Sequence, residues 1–196
     1  MSIELKGISK AFGEQKVLEG VSLTLKEGQT TCLMGMSGSG KTTLLRILLG
    51  LLAADAGEVS GVPERLAAVF QEDRLFPEAD AVTNVCVTAG ADARTVKEHF
   101  ARVGLTDYEG KPVSELSGGM MRRVAIVRAC LAPADLVVMD EPFKGLDEET
   151  RELVIDYIRR QCEGKTLLVV THLPEEAEKL GGTTVWLDQL SEPASE

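Results

Sequence analysis

Eight residues, Gly35–Thr42 (GMSGSGKT), constrain this chain more tightly than any other stretch. They fit the spacing GxxxxGK[ST] and stand between an apolar run, TTCLMG at 30–35, and a helical segment, KTTLLRILLGLL. Strand, glycine-rich loop and helix are the setting in which that spacing holds phosphate. Gly35, Gly38 and Gly40 let the chain curl so that its amides, those of Met36, Ser37 and Ser39 included, point inward around a β-phosphate. Lys41 adds a charge toward the β- and γ-phosphates, and the Thr42 hydroxyl can ligate Mg²⁺. Thr43, at the helix start, can reach an α-phosphate. A nucleoside triphosphate with Mg²⁺, on an α/β core, is therefore expected.

Such a loop needs an acid at the end of a neighbouring strand. LVVMDEP at 136–142 supplies one, with Asp140 at the carboxyl end of a buried run. Ligands bind at that edge of open α/β sheets. Asp140 is expected to hold Mg²⁺, and Glu141 to orient and polarise the attacking water. Gln71 closes the run AAVFQ and can bridge metal or lytic water. His172 closes LLVVTH and can reach the γ-phosphate.

The remaining organisation follows from periodicity. IELKGISKAF and VSLTLKEG alternate as antiparallel strands joined through GEQKVLEG, and RLAAVFQ at 65–71 reads as a buried strand. Gly57 is placed in the turn after the first helix. Residues 72–115 show helical spacing, as in ARTVKEHFARVGL, and are expected to begin a helical subdomain that runs on into the helix after Ser117. Residues 1–71 and 116–190 then form the nucleotide-binding core of a single domain. DLVVMD, TLLVVTH and TTVWL are its further strands, EETRELVIDYIRR and PEEAEKL its further helices. The fold class is a mostly parallel sheet covered on both faces, with an N-terminal antiparallel β-subdomain and an inserted helical one. The polar tail SEPASE, 191–196, is expected to fray.

Composition excludes some partners. A formal charge of −10, with pI near 4.8, argues against nucleic acid as a ligand of the whole surface. The four cysteines are widely spaced, fit no zinc pattern and suit a reducing compartment. MSIELKGISK carries charges where a secretory leader would be apolar, and LLRILLGLLAA is too short to span a bilayer. Any tie to a membrane must come through a partner.

ELSGGMMRRVAIV, from Glu115, is a second candidate anion site. Ser117 can cap a helix, Gly118 and Gly119 leave its first amides uncovered, and Arg122 and Arg123 follow within the first turns. One chain thus carries two phosphate sites some eighty residues apart.

A resemblance accounts for both. The glycine loop, Gln71, LSGGM, LVVMDEP, GLD at 145–147 and TH at 171–172 fall in the order of the ATP-binding cassette ATPases, and the chain resembles that family over nearly its whole length. The resemblance implies MgATP hydrolysis in a head-to-tail homodimer, where Ser117, Gly118 and Gly119 hold the γ-phosphate of the partner copy's ATP. Asp147 would cross between copies, and Phe12 would stack on adenine. Met120 stands where the family usually has glutamine, and Lys144 and Gly145 replace a small serine and alanine. FQEDRLFP is similar to cassettes importing nitrate, sulfonates and taurine. That implies a separate integral membrane permease, an extracytoplasmic solute-binding protein and a peripheral place on the cytoplasmic membrane face. An exporting cassette shares every catalytic residue. Cassettes of DNA repair, chromosome structure or translation would show coiled-coil insertions or tandem copies, and a small-molecule kinase leaves LSGG without a task.

Overall fold

Alternating residues near the N-terminus pair as a tight hairpin: β1 (Ile3–Phe12) and β2 (Gln15–Leu25) run antiparallel. The coordinates are a computed structural model and describe residues 2–190, so the tail at 191–196 lies outside the described residues. Only Gly13 and Glu14 separate the two strands, and the segment expected to join them is instead the first half of β2. β3 (Thr30–Met34) then runs into the glycine loop and α1 (Lys41–Leu48).

Gly57 does not lie in a turn. It sits in β4 (Ala56–Ser60), an edge strand antiparallel to β1. The strand shows no apolar alternation because its residues are mostly exposed; pairing with β1, not a buried face, makes it. At φ 88° Gly57 lies so close to β1 that a Cβ would fall 2.5 Å from the carbonyl oxygens of Lys6 and Gly7.

The chain continues through β5 (Leu66–Val69), α2 (Ala81–Ala89), α3 (Ala93–Arg102), α4 (Gly118–Leu131) and β6 (Leu136–Asp140). It closes with α5 (Glu148–Gln161), β7 (Thr166–Val170), α6 (Pro174–Leu180) and β8 (Thr183–Trp186). Asp80, Asp92, Ser117 and Asp147 cap α2 to α5, each side chain accepting from a backbone N–H of the first turn. Two strands end earlier than expected: β5 stops at Val69 and β7 at Val170, leaving Gln71 and His172 on the following loops.

The parallel sheet has the order β5-β6-β7-β3-β8, and the antiparallel one β2-β1-β4. Period-2 alternation sorts the parallel strands into two cores. Cys32, Met34, Val137, Met139, Leu167 and Val169 pack against α2 to α6. Leu33, Leu136, Val138, Leu168 and Val170 pack against α1 and the antiparallel sheet. Each such buried Val or Leu contributes roughly 1.5–3 kcal/mol. With both faces filled, these strands read as continuous apolar runs. Because all five are parallel, their carboxyl ends share one edge, and the loops after β5, β6, β7 and β3 line it in that order.

Candidate nucleotide site

The glycine loop is closed on its own lysine. Lys41 is buried, and its Nζ donates to the carbonyl oxygens of Gly35 at 2.8 Å and Met36 at 2.7 Å. Gly40 precedes α1 at φ 100°, where a Cβ would meet Leu18 at 2.8 Å, so this turn admits only glycine. Met36, Ser37 and Gly38 are exposed at the loop tip, while Ser39, Gly40 and Thr43 are half-buried. The Ser39 Oγ is buried without a hydrogen-bond partner.

From the loop the site crosses β7 to β6. Thr42 Oγ1 donates to Asp140 Oδ2 at 2.7 Å, joining the start of α1 to the end of a strand two places away. The other oxygen, Asp140 Oδ1, is buried and unpartnered. Burial pushes the Asp140 carboxyl above the ordinary range, and the Thr42 hydrogen bond pulls partly against it. A carboxylate oxygen left unpaired beside a threonine hydroxyl and a lysine-filled phosphate loop is a donor set suited to a hard divalent cation.

Glu141 stands one step beyond, at φ 49°, a left-handed conformation that glutamate rarely adopts. Its N–H donates to Val170 O of β7 at 3.0 Å, which holds the strained turn. Its carboxylate is 3.5 Å from the Lys144 ammonium. Glu141, Lys144, Thr171 and His172 border one cavity of about 330 Å³ between the loops leaving β6 and β7. His172 is exposed there. The loop that carries it is anchored by Thr171, whose hydroxyl donates to buried Glu176 and accepts from Leu173 N. Arg151 lies 3.9 Å from Glu176 and partly offsets the burial that raises its carboxyl.

Arg122 and Arg123 are not free to meet an anion. Arg122 is buried and donates to Phe70 O and Gln71 O, both at 2.6 Å, with its guanidinium 3.1 Å from the Asp73 carboxylate. Arg128, on the same helix, donates to Asp73 O and Arg74 O at 2.9 Å. Together they fasten the backbone around Gln71 to α4, with the Gln71 residue itself exposed. Arg123 donates to Gly119 O and Gly104 O. These internal partners left no signal in the sequence, because an arginine reads alike whether it binds a ligand or a backbone carbonyl.

The helix tip lies against the turn that follows Glu141. Ser117 Oγ accepts from Met120 N at 3.3 Å, and Ser117 and Gly118 are exposed. A Cβ on Gly119 would lie 3.6 Å from Gly145 O, so the tip touches the Lys144–Asp147 turn. Asp147 accepts from Thr150 N at 2.9 Å as the α5 cap, which holds its carboxyl below the usual range. Among the described residues no hydrogen bond or ion pair joins Ser117–Gly119 to the glycine loop. Phe12 is 51% exposed, which removes it from the core, and Lys10 lies over its ring at 5.7 Å.

The family model for the ABC transporter matches residues 18–144, which include the glycine loop, Ser117–Gly119 and the Asp140–Glu141 pair. The chain belongs to the ABC transporter family. It is the ATP-binding subunit of such a transporter, and an ATPase. The cassette is 38% identical to aliphatic sulfonates import ATP-binding protein SsuB 1 of Nocardia farcinica, over 96% of this chain and 79% of that one. It is also 37% identical to Nod factor export ATP-binding protein I of Ralstonia nicotianae, over 91% of this chain and 61% of that protein. The dimeric structure of MJ0796, a bacterial ABC transporter cassette, matches with a TM-score of 0.83 at 30% identity, over 94% of each chain. A post-hydrolysis structure of MJ0796 with ADP and Pi matches with a TM-score of 0.82. In the cassette described here, Met120 follows the two glycines and is half-buried, packed on the helical core.

Proposed function

We propose that this cassette hydrolyses MgATP between two copies of itself and drives solute import through a separate membrane permease. The observation that carries the reading is the Thr42–Asp140 hydrogen bond beside the unpartnered Asp140 Oδ1. It supports a cation position between the phosphate loop and Glu141. Thr42 and Asp140, with Gln71, would hold Mg²⁺ there, and the ion would supply charge neutralisation for the terminal phosphates. The amides of Gly35–Thr43 cradle those phosphates, and Lys41 adds its ammonium. Glu141 accepts a proton from the attacking water, His172 hydrogen-bonds the γ-phosphate, and Phe12 stacks on the base.

The tip Ser117–Gly119 makes no hydrogen bond or ion pair to its own glycine loop among the described residues and serves the ATP of a second copy, with Asp147 meeting that copy at the seam. The dimeric form of MJ0796 supports this. Among the described residues no helix is long and apolar enough to cross a membrane. In this reading a permease provides the path, and the cassette sits peripherally on the cytoplasmic face, as the import and export relatives named for ATP-binding proteins support.

Import is favoured by the sulfonate-import relatives, of whose length the chain covers more than it does of the Nod factor exporter. Small organic anions delivered by an extracytoplasmic binding protein are the proposed cargo class. Export is the second reading, supported by that same exporter. ATP turnover measured with the permease, with and without the binding protein, separates them: dependence on the binding protein is expected, and stimulation by permease and cargo alone overturns import.

For the hydrolytic roles, Glu141→Gln should lower kcat at least about 10²-fold, as loss of a general base does. It should keep ATP affinity and accumulate a dimer on size-exclusion chromatography with light scattering. Turnover at the unmodified rate would remove Glu141 from its role.

A further inference from the structure

At the sheet edge opposite the nucleotide, two cysteines face each other. Cys130 lies in the last turn of α4, and Cys162 caps the end of α5. Their sulfurs are 3.9 Å apart, both side chains are buried, and both are free thiols. The other two cysteines do not pair: Cys32 faces Ala177 O, and Cys86 lies on α2. A disulfide requires about 2.05 Å between sulfurs, so the pair must close by somewhat under 2 Å. Cys162 stands at the helix end, two residues before Gly164 at φ 78°, with its N–H donating to Ile158 O and its carbonyl accepting from Lys165 N, so the closure falls on the two side chains.

The buried pair adjoins solvent on the Cys162 side. Cys162, with Gly28, Thr30, Arg159, Arg160 and Gly182, lines an open cleft of about 740 Å³. Arg159 and Arg160 are each paired with Asp156, and Glu163 lies on the same lining. Lys165 Nζ donates to Cys130 O at 2.8 Å and Ala132 O at 3.1 Å, which fixes a positive charge beside the two sulfurs. Hydrogen bonding from Cys130 and the charge of Lys165 lower the Cys162 thiol against its burial, whereas the Cys130 thiol is raised.

We propose that Cys130 and Cys162 are a modification site, a dithiol that a low-molecular-weight disulfide such as glutathione disulfide converts to an intramolecular disulfide. The Cys162 thiolate attacks one sulfur of the reagent and expels the first small thiolate, forming a mixed disulfide. Cys130 gives up its proton to solvent and attacks Cys162 Sγ, expelling the second. Two protein thiols are oxidised, and one small disulfide is reduced to two thiols. The bridge ties the far end of α4, the helix that begins at Ser117, to the end of α5.

The test incubates the whole chain with glutathione disulfide under native conditions, blocks free thiols by alkylation and maps the peptides by mass. A peptide pair joined through Cys130 and Cys162, two hydrogens lighter than its reduced form and released by dithiothreitol, is expected. Cys130→Ser should stop at a glutathione adduct on Cys162, and Cys162→Ser should leave Cys130 fully alkylated. Complete alkylation of both cysteines in the unmodified chain, or a persistent glutathione adduct on Cys162 there, overturns the proposal. Cys86 falls on a different peptide, so its own oxidation is read separately from that of the pair.

Discussion

At the residue scale, Asp140 shows how a site and the fold around it pull in opposite directions. Its carboxylate is buried, one oxygen is satisfied by Thr42, and the other has no partner. A carboxyl raised by burial costs stability when ionised. Because its folded-state pKa lies above the unfolded value, that cost is absent at low pH and grows as pH rises through the folded pKa. Asp140→Asn should therefore raise Tm by a few degrees at pH 7 in chelator, while losing ATP turnover. A calorimetric Tm equal to or below that of the unmodified protein would show that the buried charge is already compensated. Glu141 stores strain of a different kind: a left-handed glutamate costs about 1–3 kcal/mol, and its N–H is held there by Val170 O. That its carboxylate would stand at the strand end was legible from LVVMDEP. The strain was not, since a backbone angle depends on what the next strand offers as an acceptor.

At the element scale, α4 does more than present its tip. Arg122 and Arg128 grip the main chain from Phe70 to Arg74, so the loop carrying Gln71 is fastened to the helix that starts at Ser117. Arg122→Met would leave part-buried Asp73 with Arg128 as its remaining cation and would strip two carbonyl hydrogen bonds from the Phe70–Gln71 backbone, and should cost about 3 kcal/mol, the low end for breaking a buried pair. Urea denaturation reads the loss, and adding Asp73→Asn should recover part of it. A loss below about 1 kcal/mol would mean that the pair behaves as a surface contact. The start of α4 was readable from Ser117, a short polar residue ahead of apolar periodicity, whereas the caps Asp80, Asp92 and Asp147 came from the structure. β4 was not, because an edge strand with exposed side chains has no alternation to show. The same blindness applied to Arg122 and Arg123: their proximity to a bare helix tip suggested an anion site, but packing turned both inward.

At the scale of the whole molecule, the site residues fall on two elements. Gly35–Thr43, Asp140, Glu141 and His172 share a sheet edge, and Ser117–Gly119, on the tip of α4, make no hydrogen bond or ion pair to the glycine loop among the described residues and touch the Lys144–Asp147 turn. If each ATP is held by the first group of one copy and the second group of another, damage to the two should complement. Lys41→Ala and Ser117→Arg should each be inactive alone. Mixed in equal amounts they should regain about a quarter of normal ATP turnover, because random pairing makes half the dimers mixed and each has one intact site of two. No recovery at concentrations where dimers form would refute the shared site.

By itself, the order of residues determined the phosphate loop, the acid at a strand end, the helix tip and the parallel core, because spacing and hydrophobic period are local properties of a chain. Tertiary structure alone decided that Asp140 keeps a bare oxygen, that Arg122 and Arg128 serve the backbone, that Phe12 lies outside the core and that Cys130 meets Cys162. Each of these depends on what a distant segment places within a few ångströms, and the partner of a polar group is set by packing rather than by its neighbours in sequence.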